Sequence, residues 1–184
     1  KGDKLTNAGV LFFTDASEFI QCKCRVVFID EEPRGGKEYE GPVWKMIDDV
    51  FADIAREVRR MEVVVGTKRI KIEEYPLRAL REAIINAFAH RNYAIPSDIK
   101  IFIYPDRIVV RNPGSLMPGV DLSDPEHIPR NPTLCQLLYD TGFIEKYGYG
   151  IMMIREECKK HPLVNVEFKA TANKFEVIFK KDVQ

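Results

Sequence analysis

Residues 76–91 read PLRALREAIINAFAHR, a run whose two faces differ in chemistry. At about 100° per residue, Leu77, Leu80, Ile84, Ala87 and Phe88 fall on one side of a helix. Glu82, Asn86 and His90 follow one another at i, i+4 and i+8 and stack on the opposite side. Ala79, Ala83 and Ala89 flank them. Small residues beside a carboxylate and a carboxamide leave room for a ligand to lie against the helix. A plain solvent-facing stripe is the alternative, although such stripes more often carry Lys, Glu and Gln.

Downstream of this helix, residues 98–104 alternate through Ile99, Ile101 and Ile103, turn at Pro105-Asp106, and continue as the strand RIVVR over 107–111. Residues 112–131 are rich in proline and glycine and lack periodicity. An irregular stretch of that length inside a compact domain is usually functional or mobile. Helices are expected over 133–141 and 150–160, and a closing hairpin over 165–170 and 174–180.

Upstream, Thr6 or Asn7 caps a short helix within LTNAGVLFF, residues 5–13. Residues 22–30, CKCRVVFID, read as a strand, and Gly35-Gly36 as a turn. A helix is expected over 42–60, with Trp44, Ile47, Phe51, Ile54 and Val58 as its apolar stripe. Residues 61–73 read as two strands joined around Gly66-Thr67. A boundary near residues 60–75 divides the chain into segments 1–60 and 61–184.

Lys and Arg together number 28, equal to Asp and Glu, so no strongly basic surface for nucleic acid shows at the level of the whole chain. No apolar run approaches the roughly 20 residues that span a bilayer. The chain starts at Lys1 without a methionine, as expected of a fragment of a longer protein. Cys22, Cys24, Cys135 and Cys158 have no His or second Cys pair at metal-site spacing, so they read as buried thiols of a cytoplasmic protein.

Two further motifs bear on chemistry. Arg111-Asn112-Pro113-Gly114 follows an apolar strand, and glycine there permits positive φ and close backbone approach to a ligand. A simple turn is the other reading. Tyr147-Gly148-Tyr149-Gly150 runs into the helix of Ile151–Lys160. Glycines before a helix let backbone N–H groups face an anion, where the helix N-terminus adds partial positive charge. A helix start without a ligand fits that motif too.

The order of these parts resembles the nucleotide-binding fold of gyrases, histidine kinases and MutL (GHKL). The resemblance implies an α+β two-layer sandwich, a mixed β-sheet with helices on one face, preceded by a smaller α/β segment. It assigns Glu82 to activation of the attacking water and Asn86 to a magnesium ion. Both are chemically suited, a carboxylate as general base and a carboxamide oxygen as a hard ligand. Asn112 and Gly114 stand where the family reads Asp-x-Gly-x-Gly, its Asp binding the adenine amino group. Gly148 and Gly150 would cradle phosphates, and residues 115–147 would form the lid. Apart from the resemblance, His90 either contacts phosphate or serves the end of its helix through a backbone carbonyl and the helix dipole, and Arg130 either reaches a γ-phosphate from the lid or is solvated.

The stretches Arg81–Ala87, His90–Tyr93, Asn112-Pro113-Gly114, Arg130-Asn131-Pro132 and Gly142–Glu145 with Gly148-x-Gly150-Ile151 narrow the resemblance. They look like a microbial branch labelled transcriptional regulators or RecG-like ATP-dependent helicases. In that branch a Schlafen-type (AlbA-related) DNA-binding domain comes first, and residues 4–30 resemble its tail. The implied function is an ATP- and magnesium-responsive module of a DNA-linked regulator. DNA would bind through other domains of the full-length protein, and the assembly considered is a homodimer. Asn112 carries no charge where the family has Asp, and Pro113 removes a backbone donor, which puts turnover in doubt. A weak ATPase or a nucleotide-free scaffold for dimerisation or partner binding are the alternatives. Helicase activity is not expected, because no G-x-x-x-x-G-K-[ST] loop or second motor domain is present.

Overall fold

The computed structural model describes residues 4–15, 20–123, 128–145 and 148–182. Helix α1 (Asn7–Phe13) is capped by Thr6, whose Oγ1 accepts from Gly9 N at 3.2 Å. Strands β1 (Cys24–Ile29) and β2 (Pro33–Tyr39) form an antiparallel pair, followed by helix α2 (Val43–Glu57). The hairpin β3 (Arg60–Val65) and β4 (Lys68–Glu73) leads into α3 (Leu77–Ala89). Strands β5 (Ile99–Ile103) and β6 (Arg107–Pro113), helices α4 (Pro132–Asp140) and α5 (Gly150–Lys160), and strands β7 (Val164–Ala170) and β8 (Lys174–Lys181) complete the fold.

Six strands make one mixed sheet in the order β2-β1-β5-β6-β8-β7, in which only β1 and β5 run parallel. Alternation places Cys24, Val26, Ile99, Ile101, Ile108, Val110, Val177 and Phe179 in the core with Leu80, Ile84 and Phe88 of α3. The architecture is the two-layer α+β sandwich expected of the sequence. The opposite face carries Arg25, Lys100, Arg111 and Lys180, although Val109 and Ile178 are also buried there. Strands β1 and β2 lie before the boundary near residues 60–75, yet β1 pairs directly with β5 beyond it. The hairpin β3–β4 stands at that boundary as a separate two-stranded sheet.

Two details differ from the sequence reading. Gly35 and Gly36 lie within β2 rather than in a turn, and the chain reverses at Asp30, whose N–H donates to Glu32 O at 3.3 Å. Strand β2 is an edge strand with Tyr39 its one buried residue, so it lacks the alternation that marks a strand, and proline and glycine are tolerated there. Helix α2 is rotated relative to the expected stripe. Val43, Met46, Ile47, Val50 and Ile54 are buried, Phe51 and Val58 are partly buried, and Trp44 is 39% exposed.

Candidate functional site

Helix α3 is buried on nearly all sides, including Ala79, Ala83, Ala87 and Ala89. This excludes the plain solvent-facing stripe. Asn86 Nδ2 donates to Glu82 Oε1 at 3.1 Å, which locks the i, i+4 pair into one unit. Burial raises the Glu82 carboxyl above its ordinary pKa, and the Asn86 bond and the Arg81 charge oppose that rise. The folded protein therefore holds this proton more tightly than the unfolded chain does. The stability it contributes is complete below the ordinary carboxylate pKa and is lost as pH rises through the raised one. Glu82→Gln keeps a neutral group of the same shape. It is expected to match wild type at low pH and to exceed it in stability at neutral pH. Urea unfolding across that range measures this, and parallel pH profiles for the two proteins would refute it.

Strand β6 ends beside α3. Asn112 is 5% exposed, and its Oδ1 has no hydrogen-bond partner among the described residues. An orphaned buried acceptor costs roughly 1–3 kcal/mol and calls for an explanation. Pro113 lacks a donor, but its carbonyl accepts from Asn92 N at 2.9 Å, while Gly114 N donates to Asn173 O at 2.9 Å. Gly114 adopts φ 114°, and a Cβ there would lie 2.8 Å from Asn92 Cβ. Gly114 thus seats the turn against the residues that follow α3.

The irregular segment after β6 returns over this surface. Arg130 Nη2 donates to Ser115 O at 2.6 Å and joins the two ends of the excursion. His127 and Tyr147, with residues 124–126 and 146, lie outside the described residues. Asn131 Nδ2 donates to Ala89 O and to Arg91 O, each at 2.9 Å. It satisfies a carbonyl that the end of α3 would leave open. In the sequence Asn131 stands only within the Arg130-Asn131-Pro132 motif, and the carbonyls that a helix end leaves unmet are the signal for its role.

At the other side, Gly148 adopts φ 76° and Gly150 opens α5. A Cβ on Gly150 would meet Glu82 Oε1 and come within 2.6 Å of Asn86 Nδ2. Glycine at this position therefore lets α5 approach the Glu82–Asn86 pair directly.

One cavity of about 130 Å³ gathers these parts. Glu82, Asn86, His90, Asn112, Arg130, Gly148 and Gly150 all line it. Ala83, Ala87, Val110, Phe175 and Val177 form much of its apolar wall, and Leu116, Met117, Val120 and Ile128 of the irregular segment cover it. Of the residues singled out in the sequence, Gly114 does not line the cavity and acts through its packing on Asn92. Arg91 is fully buried elsewhere, its Nη2 donating to Ile95 O at 3.3 Å and to Ser97 O at 2.6 Å. Cys22 and Cys24 are buried away from this cavity, and burial pushes the Cys22 thiol up to about 11.

The fold and cavity define an α+β sandwich with a partly open, mostly apolar site between α3, the start of α5, the sheet and the segment after β6. Residues 97–179 match the family model described as "Putative ATP-dependent DNA helicase recG C-terminal", an ATPase-like domain. That match contains Asn112, Arg130, Gly148 and Gly150 and stops short of α3. The structure is similar to that of the DIP2311 protein from Corynebacterium diphtheriae, with a TM-score of 0.80 at 21% identity. The similarity covers 96% of this chain and 37% of that one, so the chain spans just over a third of that protein. No curated protein matches the chain. Among the described residues, no helix is long and apolar enough to cross a membrane.

Proposed function

We propose that the cavity is a nucleotide site that binds ATP with magnesium. The base would lie between Ala83 and Ala87 on α3 and Val110, Phe175 and Val177 on the sheet, with Asn112 reading its edge. Asn86 would hold magnesium together with the phosphates, and Gly148 and Gly150 would face the phosphates at the start of α5. His90 and Arg130 would supply further donors. The observation that carries this reading is that Asn112, whose buried Oδ1 has no partner among the described residues, lines the same cavity as the Glu82–Asn86 pair. With the amide turned toward the cavity, a base amino group would satisfy that acceptor.

Magnesium, when bound, would neutralise phosphate charge. Glu82 would orient and deprotonate water, and burial makes its carboxylate a stronger base than an exposed one. We further propose that residues 1–60 are the end of a Schlafen/AlbA-type DNA-binding domain and that 61–184 are the nucleotide module. The whole protein would then be a DNA-linked regulator in which the covering segment Ser115–Ser123 orders on nucleotide binding and alters dimerisation.

Thermal melting with and without ATP and magnesium tests the core of this reading. At 100 times its dissociation constant, a ligand adds about 2.7 kcal/mol. For a chain of this size each kcal/mol corresponds to roughly 2–4 °C in Tm. Asn86→Ala should lose most of the magnesium-dependent part of that shift. Any hydrolysis should appear as slow phosphate release that Glu82→Ala abolishes while binding persists. A wild-type protein that melts identically with and without nucleotide would refute the proposal.

A nucleotide-free scaffold for partner binding is the second reading, and one observation favours it. Gly150 lies so near Glu82 and Asn86 that a Cβ there would collide with both, and the cavity of about 130 Å³ is smaller than the roughly 300–1,000 Å³ of most small-molecule sites. Binding of a triphosphate must therefore move the first turn of α5 away from α3. In a scaffold that contact would stay closed, and added nucleotide would leave the α3–α5 distance unchanged.

A further inference from the structure

Asn112 is the sole polar side chain that the sheet contributes to the cavity among the described residues; its companions are Val110, Phe175 and Val177. It is placed there by register, because Asn112 pairs with Phe175 and alternates with Val110 on the face turned toward α3. Apolar walls grip any flat ring alike, so selection among bases falls to Asn112. No hydrogen bond to a described residue fixes which way its amide points, and its buried Oδ1 has no partner among them.

A carboxylate accepts hydrogen bonds and donates none, whereas a carboxamide does both. Rotation of the amide by half a turn exchanges its oxygen and nitrogen with little change of shape. The Watson–Crick edge of adenine presents an N6 amino donor beside the N1 acceptor. Hypoxanthine and guanine present the reverse, an O6 acceptor beside an N1–H donor. Either pattern can be met by one orientation of Asn112. An aspartate in its place would accept from the adenine amino group but would set lone pairs against O6.

We infer that Asn112 makes this site accept 6-oxopurine as well as 6-aminopurine nucleotides. This inference rests on the nucleotide-binding reading above and specifies its ligand class. Position 112 is then a specificity determinant, and the departure from aspartate broadens the choice of base without removing recognition.

The test compares magnesium-dependent binding of ATP and inosine triphosphate by calorimetry, because the two differ only at the purine 6-position and its N1 proton. Wild-type protein is expected to bind both within about tenfold. Asn112→Asp should favour ATP over inosine triphosphate by at least a further tenfold, in line with the discrimination of one paired base edge. Wild-type binding of ATP with inosine triphosphate weaker by well over tenfold would overturn this inference and leave the nucleotide site standing. Binding of neither would overturn both. The wild-type ratio decides the matter even if a buried carboxylate at position 112 impairs folding.

Discussion

Gly114→Ala is expected to destabilise the protein by about 2–6 kcal/mol, combining a strained backbone with a steric collision. The φ of 114° at Gly114 is one that side-chain-bearing residues rarely adopt. The added Cβ would also lie 2.8 Å from Asn92 Cβ and 3.4 Å from Asn92 N. Asn92 cannot simply retreat, because its N–H donates to Pro113 O and its Oδ1 accepts from Ala94 N. Relief must come from opening the junction between the end of β6 and the turn after α3. Asn112 precedes this junction, so ligand binding at the cavity should weaken together with stability. Chemical denaturation measures the loss. A decrease under 1 kcal/mol would mean that the turn repacks freely and does not hold Asn112 in place.

The second large effect concerns Arg91, which is fully buried directly after α3. Its guanidinium donates to Ile95 O and Ser97 O and stacks over the Tyr93 ring, with Cζ 4.8 Å from the centroid. Nε and Nη1 have no partner among the described residues. Arg91 thus holds the loop 92–98 in the path between α3 and β5 by charge-assisted bonds to carbonyls. Arg91→Ala removes both bonds, orphans two carbonyls and empties the space of the side chain, at about 3–5 kcal/mol. Arg91→Met refills much of that space and should recover part of the loss, separating packing from hydrogen bonding. Near-wild-type unfolding of the alanine variant would show that the loop is held by its backbone alone.

The chain announces its elements through local periodicity, and these were legible. The 3.6-residue pattern of α3, the alternation of β5 and the turn at Gly66-Thr67 each depend on neighbours within a few residues. Thr6 as a cap belongs to the same class. Strand β2 was hidden because an edge strand buries almost nothing, so its sequence bears no core pattern. The buried face of α2 lies a fraction of a turn from the expected stripe, since Trp44 looks like core but lies at the rim.

The candidate site shows the same division. Residue type and spacing singled out Glu82, Asn86, Asn112, Arg130, Gly148 and Gly150, because i, i+4 pairing and glycine before a helix are written along the chain. Their meeting in one cavity depends on how α3 packs on the sheet and on α5, and those contacts join residues far apart in sequence.

The sequence alone determined the element types apart from strand β2, the α+β class and the chemistry available for a site, because these follow from side-chain period and backbone freedom. Tertiary structure decided that β1 and β2 extend the same sheet as β5–β8, and that Gly150 is small to admit the Glu82–Asn86 pair. It also decided that Asn131 closes the end of α3 and that Asn112, on the cavity wall, keeps a buried acceptor without a partner among the described residues. Each of these depends on which distant surfaces touch, and no local pattern encodes that.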